Sequence, residues 1–253
     1  AQARQLVKEL RRGIGRHHYE TVDTLWLTLV YQPWMRNIDR LTLADKKWRK
    51  NKPLPVLLIH GYMCNAGVWV RTRERLQRQG VSTLTLTLEP AIGSIRKYAP
   101  QINQALAELL AATGAPQIKV ICHSMGGVAI RYYASEYGHE KIAGVVTLGS
   151  PHHGTALSLL GVGRNVKQMA WGSFFLRTLR EQVRDAEFQK KIISVWTPFD
   201  TIVSPANSCV LEHGRNHMVH GCGHMHLVHH PETVKLLDDW LMLDAQPYTL
   251  PEQ

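Results

Sequence analysis

The stretch Gln117 to Arg131, reading Gln-Ile-Lys-Val-Ile-Cys-His-Ser-Met-Gly-Gly-Val-Ala-Ile-Arg, constrains this chain more than any other. Ile118 to Ile121 is an apolar, β-branched run of the kind a parallel strand needs when both faces are covered and neither side meets water. It stops at Cys122-His123-Ser124-Met125-Gly126 and becomes a helical pattern through Val128, Ile130, Arg131 and Tyr132, halted at Gly138. A strand, a tight turn and a helix with a serine at the apex make a nucleophile elbow. The turn strains the serine backbone and lifts its hydroxyl above the sheet edge. Residues two positions away on either side must then be small. Here they are Cys122 and Gly126. Cys122 stands where glycine is usual, a mild departure, because cysteine packs as a compact hydrophobe. Gly127 lets the helix close on the sheet.

The surrounding chain alternates strands and helices. Leu54 to Ile59 reads as a buried strand, followed by a helix from Ala66 to Gln79 stopped at Gly80. Val81 to Leu88 is a second strand, and a helix through Ile102, Leu106 and Leu110 ends near Gly114. After the elbow come the strands Ile142 to Leu148 and Lys191 to Trp196, then a His-rich loop from His213 to His230. A last helix opens at Pro231 and runs to about Leu243. Repeated units of this size imply an α/β fold: a mostly parallel, doubly wound sheet with helices on both faces. Between residues 155 and 190 the alternation pauses over two apolar clusters, Leu157 to Val162 and Trp171 to Leu179. This pattern suits a small lid-like insertion, with Trp171, Phe174 and Phe175 as candidate walls of a substrate cleft. Plain core packing is the competing reading of those aromatics.

The formal charge of +10 is uneven: residues 1–52 carry a net +7 and the remaining chain only +3. The expected organisation is therefore a basic, helical N-terminal extension over 1–52 and one catalytic-type domain over 53–253. Such an extension suits a solvated face or peripheral contact with an anionic membrane. No nucleic-acid-binding motif accompanies the charge, so nucleic acid is not an expected partner. No apolar run approaches the ~20 residues that cross a bilayer. The four cysteines, 64, 122, 209 and 222, do not read as a disulfide framework in a chain of 253 residues, although Cys209 and Cys222 flank one loop and are the pair to test.

A serine hydroxyl needs a base to take its proton, and the base needs a carboxylate to hold its tautomer. In doubly wound hydrolases the order is serine, acid, histidine, each on a loop after a strand. Asp200 follows the strand ending at Trp196 directly; Asp185 and Glu187 lie in a charged helical stretch and read as solvated. Of the histidines in the last loop, His224 in Gly221-Cys222-Gly223-His224 occupies the position that the order demands, with His226 as the fallback. Backbone N–H groups must also face the developing oxyanion. Met125, after the serine, and Tyr62, after the bend at His60-Gly61, are the expected donors.

Five segments together resemble small bacterial lipases and esterases of the α/β-hydrolase superfamily. They are Pro55-Val-Leu-Leu-Ile-His-Gly-Tyr, the Cys-His-Ser-Met-Gly-Gly elbow, Gly149-Ser-Pro-His-His-Gly-Thr, Pro198-Phe-Asp-Thr-Ile-Val-Ser-Pro and Gly223-His-Met-His-Leu. The resemblance covers about residues 53–245 and implies the α/β-hydrolase fold. It also implies a serine carboxylester hydrolase, with Ser124 as nucleophile, Asp200 as acid, His224 as base, and Tyr62 and Met125 as oxyanion donors. It requires no cofactor and no metal. His152 and His153 fall at a strand end beside the site and read as structural. The expected partner is an ester or lipid with hydrophobic acyl chains, in a bacterial protein for which a membrane-associated, secreted or periplasmic place is favoured over the cytoplasm.

Three other readings compete, one of them a basic-arm binding protein on a hydrolase scaffold without activity, which the intact Ser, Asp and His disfavour. An acyltransferase would use the same triad, because fold does not choose the acceptor. A metal-binding module on Cys222, His224 and His226 has soft ligands, but the remaining ligands lack a recognisable spacing.

Overall fold

The computed structural model describes residues 40–44 and 52–242. Most of the basic extension expected over 1–52 therefore lies outside the described residues, and so does its membrane contact. In chain order the elements are β1 (Leu41–Thr42), β2 (Val56–Ile59), α1 (Val70–Arg78), β3 (Thr83–Leu86), α2 (Tyr98–Thr113) and β4 (Ile118–His123). They continue with α3 (Met125–Tyr137), β5 (Ile142–Leu148), α4 (Arg164–Gln168), α5 (Phe174–Arg180), α6 (Val183–Gln189), β6 (Ile192–Trp196), β7 (Arg215–Met218) and α7 (Pro231–Met242).

Among the described residues seven strands form one sheet in the order β1-β3-β2-β4-β5-β6-β7. Every pairing is parallel except β1 on β3. Successive residues of a strand point to opposite faces, and β2 divides accordingly. Leu57 and Ile59 join Val120, Ile102, Leu106 and Val128 under α2 and α3. Val56 and Leu58 join Ile121, Val146, Leu76 and Trp240 under α1 and α7. All four β2 residues are buried. This is why the strand reads as an unbroken apolar run and not as an alternation.

The chain winds outward from β2 to β3, then returns to place β4 on the other side of β2. That reversal between β2 and β4 opens a crevice at the carboxyl ends of the two strands, where open α/β sheets hold their ligands. The loop after β2 carries Tyr62 and the turn after β4 carries Ser124, so both lie at this crevice.

Local differences from the sequence reading have physical causes. The helix expected over Ala66 to Gln79 begins as a 3-10 turn, Ala66–Trp69, capped by the Asn65 side chain, which accepts from the Gly67 N–H at 2.9 Å. β7 lies inside the expected His-rich loop. Its Arg-Asn-His-Met sequence is half exposed, so it lacks the apolar signature of its neighbours. Within the extension expected to be helical, Leu41 and Thr42 instead form an antiparallel edge strand against Leu84 and Thr83. The insertion over 155–190 contains a 3-10 turn at Ala156–Leu160 and the helices α4, α5 and α6.

Candidate active site

Ser124 occupies the turn between β4 and α3 with φ 52 and ψ −122, a conformation costly for any residue with a side chain. Two features hold it there. The Ser124 N–H donates to Leu148 O of β5 at 2.9 Å, and the glycines beyond it allow the helix to approach. A Cβ on Gly126 would lie 2.7 Å from Ile59 O, and one on Gly127 would lie 2.7 Å from Ser150 Cβ. Both positions therefore require glycine. The strain is stored by packing on either side of the elbow.

Leu148, which fixes the serine amide, is followed by Gly149 at φ 58. A Cβ at Gly149 would sit 3.1 Å from His224 Nδ1 and 3.2 Å from Asp200 Oδ2. The end of β5 is therefore the floor beneath the histidine–aspartate pair, one residue from the strand position that anchors Ser124. The structure brings the acid and the first-choice histidine named from sequence into hydrogen-bond contact, beside the end of the strand that holds the Ser124 amide.

Asp200 follows β6. Its Oδ1 accepts from the Ile202 and Val203 N–H groups at 2.8 and 2.7 Å, and its Oδ2 from His224 Nδ1 at 2.8 Å. Its side chain is completely buried and that of His224 is 3% exposed. A carboxylate with its lone pairs so engaged is held rigidly. Because a carboxylate can only accept, the proton of neutral His224 sits on Nδ1, which leaves Nε2 free as a base. His226 is placed elsewhere: it opens a 3-10 turn, and its ring lies edge-on to His230 at 5.8 Å. Among the described residues its buried Nδ1 has no partner.

Met125 opens α3, so its N–H is one of the first-turn amides that find no acceptor within the helix. Tyr62 follows Gly61, and a Cβ on Gly61 would come within 2.8 Å of Ser124 Cβ, so the loop after β2 passes directly against the elbow. The loop then turns back: the Cys64 N–H reaches Gly61 O at 3.3 Å, and Met63 takes φ 54.

Two histidines that the sequence reading left without a chemical role support these loops. His60 Nδ1 donates to Gly61 O at 2.7 Å, while its Nε2 accepts from the Leu88 N–H at 2.9 Å. This ties the bend after β2 to the end of β3. Burial lowers its pKa to about 4 and keeps it neutral. His123 lies against His224, with ring centroids 4.7 Å apart and its Nε2 facing His224 O at 3.4 Å. Burial, and then the proximity of His224, hold His123 well below the ordinary imidazole value. The sequence signal for both was present, since each sits inside a quoted motif, but motif position alone does not reveal a tautomer.

The other expected residues separate. His152, expected to be structural, is buried between Thr147 Oγ1, 3.0 Å from Nε2, and Arg131, whose Nη1 donates to His152 O at 3.0 Å. Of the three candidate cleft residues, Trp171 and Phe174 are exposed, at 54% and 73%. Phe175 is a correction: it is buried in the core against Tyr132, with centroids 5.3 Å apart and the Arg96 guanidinium 5.4 Å from its ring. Asp185, read as solvated, is also corrected, because its carboxylate is 0% exposed and paired with Arg131. Cys209 and Cys222 are both buried, and no disulfide joins them. Among the described residues no three His, Cys, Asp or Glu side chains are placed to hold a metal ion. The module imagined on Cys222, His224 and His226 therefore has no geometric basis there.

The family described as palmitoyl protein thioesterase matches residues 55–193, more than half of the chain, from β2 to the start of β6. A triacylglycerol lipase of Pseudarthrobacter phenanthrenivorans is 29% identical over 109 residues, covering 40% of this chain and 34% of that one. A triacylglycerol lipase of Vibrio cholerae serotype O1 is 29% identical over 109 residues, with 41% and 34% covered. The chain thus spans about a third of the length of these curated relatives. Bacillus licheniformis lipase BlEst2 in its mature form superposes with a TM-score of 0.68 at 15% identity, covering 80% of this chain and 98% of that one. Aspergillus fumigatus lipase B gives 0.69 at 18% identity, covering 83% and 57%. At such identities the likeness is one of fold, and that fold is the α/β-hydrolase sheet described above.

Proposed function

This chain belongs to the palmitoyl protein thioesterase family, among the lipases and esterases of the α/β-hydrolase superfamily, and from that premise we propose that it is a serine hydrolase of carboxylic esters with hydrophobic acyl chains. The observation that carries the reading is the buried hydrogen bond from His224 Nδ1 to Asp200 Oδ2, 2.8 Å long. It lies beside the β5 end that anchors the strained Ser124.

In this reading the substrate carbonyl enters above Ser124. His224 Nε2 takes the hydroxyl proton as Oγ attacks the carbonyl carbon, and Asp200 stabilises the imidazolium that forms. The former carbonyl oxygen becomes an oxyanion facing the Tyr62 and Met125 N–H groups. A preorganised donor of this kind typically supplies ~3 kcal/mol. The tetrahedral adduct collapses, and the alcohol leaves with the proton from His224. Water then enters and His224 takes its proton as the water oxygen attacks the acyl carbon. The second adduct releases a fatty acid and restores the Ser124 hydroxyl. The exposed Leu159, Leu160 and Phe174 of the insertion, at 87%, 84% and 73%, support a preference for apolar acyl chains.

The family match supports a second reading on the same atoms, hydrolysis of a long-chain acyl thioester. Attack on the carbonyl is unchanged, and the leaving thiolate asks less of His224 as an acid because thiols are far more acidic than alcohols.

The test compares p-nitrophenyl esters from acetate to palmitate, and a palmitoyl thioester of a small thiol, with Ser124→Ala as control. A phosphonate inhibitor should label the Ser124 peptide. Activity that rises with chain length and vanishes in Ser124→Ala supports the reading. Short-chain activity alone removes the long-chain preference, and undiminished activity in Ser124→Ala removes the mechanism.

A further inference from the structure

Tyr62 and Met125 enter the reading above through their main-chain amides, yet both of their side chains end on one four-residue stretch of the insertion. The Tyr62 hydroxyl donates to Val162 O at 2.8 Å and accepts from the Val162 N–H at 3.1 Å, so it grips a single residue by both its polar main-chain groups. Three residues on, the Asn165 Nδ2 reaches Met125 Sδ at 3.5 Å, Ala91 O at 2.8 Å and Tyr98 Oη at 3.1 Å. Its Oδ1 accepts from the Val166 N–H at 2.9 Å, which fixes the orientation of the carboxamide. Asn165 is fully buried.

The stretch itself is anchored. The Arg164 N–H donates to Ile92 O at 3.1 Å and the Asn165 N–H to Gly93 O at 2.8 Å. Between the two contact points, Gly163 takes φ 113, and a Cβ there would lie 2.7 Å from Ile92 O, so the backbone runs directly against the loop at 90–93. A tether is useful only when it is fastened at its far end, and this one is.

We propose that Val162–Asn165 is a two-point clamp that aims the Tyr62 and Met125 N–H groups. The Tyr62 phenol and the Asn165 carboxamide are then positioning residues for the oxyanion hole, an inference that rests on the serine hydrolase reading. An oxyanion donor must lie 2.7–3.1 Å from where the charge develops, and a displacement of about 1 Å costs on the order of 10²-fold in rate. The Tyr62 loop also carries Met63 at φ 54, a conformation that a residue with a side chain holds only under constraint. Pinning the tip of the Tyr62 side chain limits rotation of the peptide plane at its base. Asn165 does the same for the start of α3 through the Met125 thioether.

The clamp and the reading beneath it are tested together and fail separately. Tyr62→Phe removes one exposed hydroxyl and keeps the amide; Asn165→Asp keeps the Oδ1 bond and removes the Nδ2 donor. For each, kcat on a soluble p-nitrophenyl ester should fall roughly 10- to 100-fold with KM within about twofold. The affinity of an alkyl boronic acid, which mimics the tetrahedral adduct on Ser124, should fall by the same factor, while inhibition by the fatty acid product stays constant. Thermal melting confirms that the variants fold. If Asn165→Asp does not fold, Tyr62→Phe decides. A Tyr62→Phe enzyme with wild-type kcat and boronate affinity overturns the clamp and leaves the hydrolase reading intact. Equal weakening of boronate and fatty acid binding also overturns it, as the mark of a merely structural loss. Absence of wild-type ester and thioester hydrolysis overturns both.

Discussion

The guanidinium of Arg131 holds both carboxylate oxygens of Asp185, at 2.9 Å from Nε and 2.6 Å from Nη2, with their side chains 1% and 0% exposed. The pair bolts α3, the helix behind the elbow, to α6 in the insertion, and Gln189 adds a third contact to Asp185 Oδ2 at 2.8 Å. Breaking such a pair leaves one buried charge unmatched, which costs about 3–5 kcal/mol, whereas replacing both partners by apolar residues is often near neutral. Arg131→Met should therefore lower the urea unfolding midpoint severely. The double variant Arg131→Met with Asp185→Leu should recover most of the loss. A double variant no better than the single one would contradict this account.

Asp200 accepts three hydrogen bonds, one of them from His224. Asp200→Asn preserves the shape but offers an amide donor to His224 Nδ1 and so favours the wrong tautomer; a loss of roughly 10⁴-fold in kcat follows. His224→Gln should be as severe. His226→Ala should stay within about twofold, because its ring packs on His230 and not on Asp200. Steady-state ester hydrolysis separates the three variants.

His60, His123 and His152 are buried and held below the ordinary imidazole value, His60 at about 4 against 6.5. Above pH 6.5 neither the folded nor the unfolded chain protonates them, and they add no pH dependence. Below it the unfolded chain binds protons that the folded chain refuses. Stability is therefore lost as pH falls from about 6.5 towards 4, by up to ~1.4 kcal/mol per pH unit for each group. Urea denaturation at pH 7.5, 6 and 5 should show the decline, and His60→Gln should make it shallower.

Glycines differ in what they protect. At Gly127 an added methyl meets Ser150 Cβ at 2.7 Å and Thr147 Cγ2 at 3.0 Å, so Gly127→Ala should cost about 1–3 kcal/mol and disturb the turn at Ser124. Gly172 has no atom within 4 Å of an added Cβ but holds φ +67. Gly172→Ala should cost only the strain of that backbone, about 1 kcal/mol. Melting temperature and kcat, measured together, distinguish the two.

The central strands, the elbow at Ser124 and the pairing of Asp200 with His224 were legible because their signals are local. A parallel strand buried on both faces must be apolar throughout, as Val56–Ile59 is. A tight strand–turn–helix elbow needs small residues at fixed offsets, as at Gly126. What stayed hidden depends on partners distant in sequence. Asp185 looks like any acid on a charged helix until Arg131, 54 residues earlier, reaches it. Phe174 and Phe175 are adjacent on α5, whose seven residues are too few for a periodicity to say which is core; one is 73% exposed and the other 7%. Phe175→Ala should accordingly cost about 3–5 kcal/mol and Phe174→Ala under about 0.5. The polar strand β7 was missed because half its residues face water.

The two-residue strand β1 stands outside the boundary that composition draws at residue 53, yet it completes the sheet. Leu41 and Thr42 pair with Leu84 and Thr83, the Thr85 N–H reaches Arg40 O at 2.8 Å, and the Ala44 N–H reaches Ser82 Oγ at 3.0 Å. An outermost strand left bare offers its main-chain groups to any passing chain. Trimming the protein at residue 53 would uncover that flank of β3 and invite neighbouring molecules to zip onto it. Residues 40–44 thus shield that flank of β3 with a strand too short to template much of another.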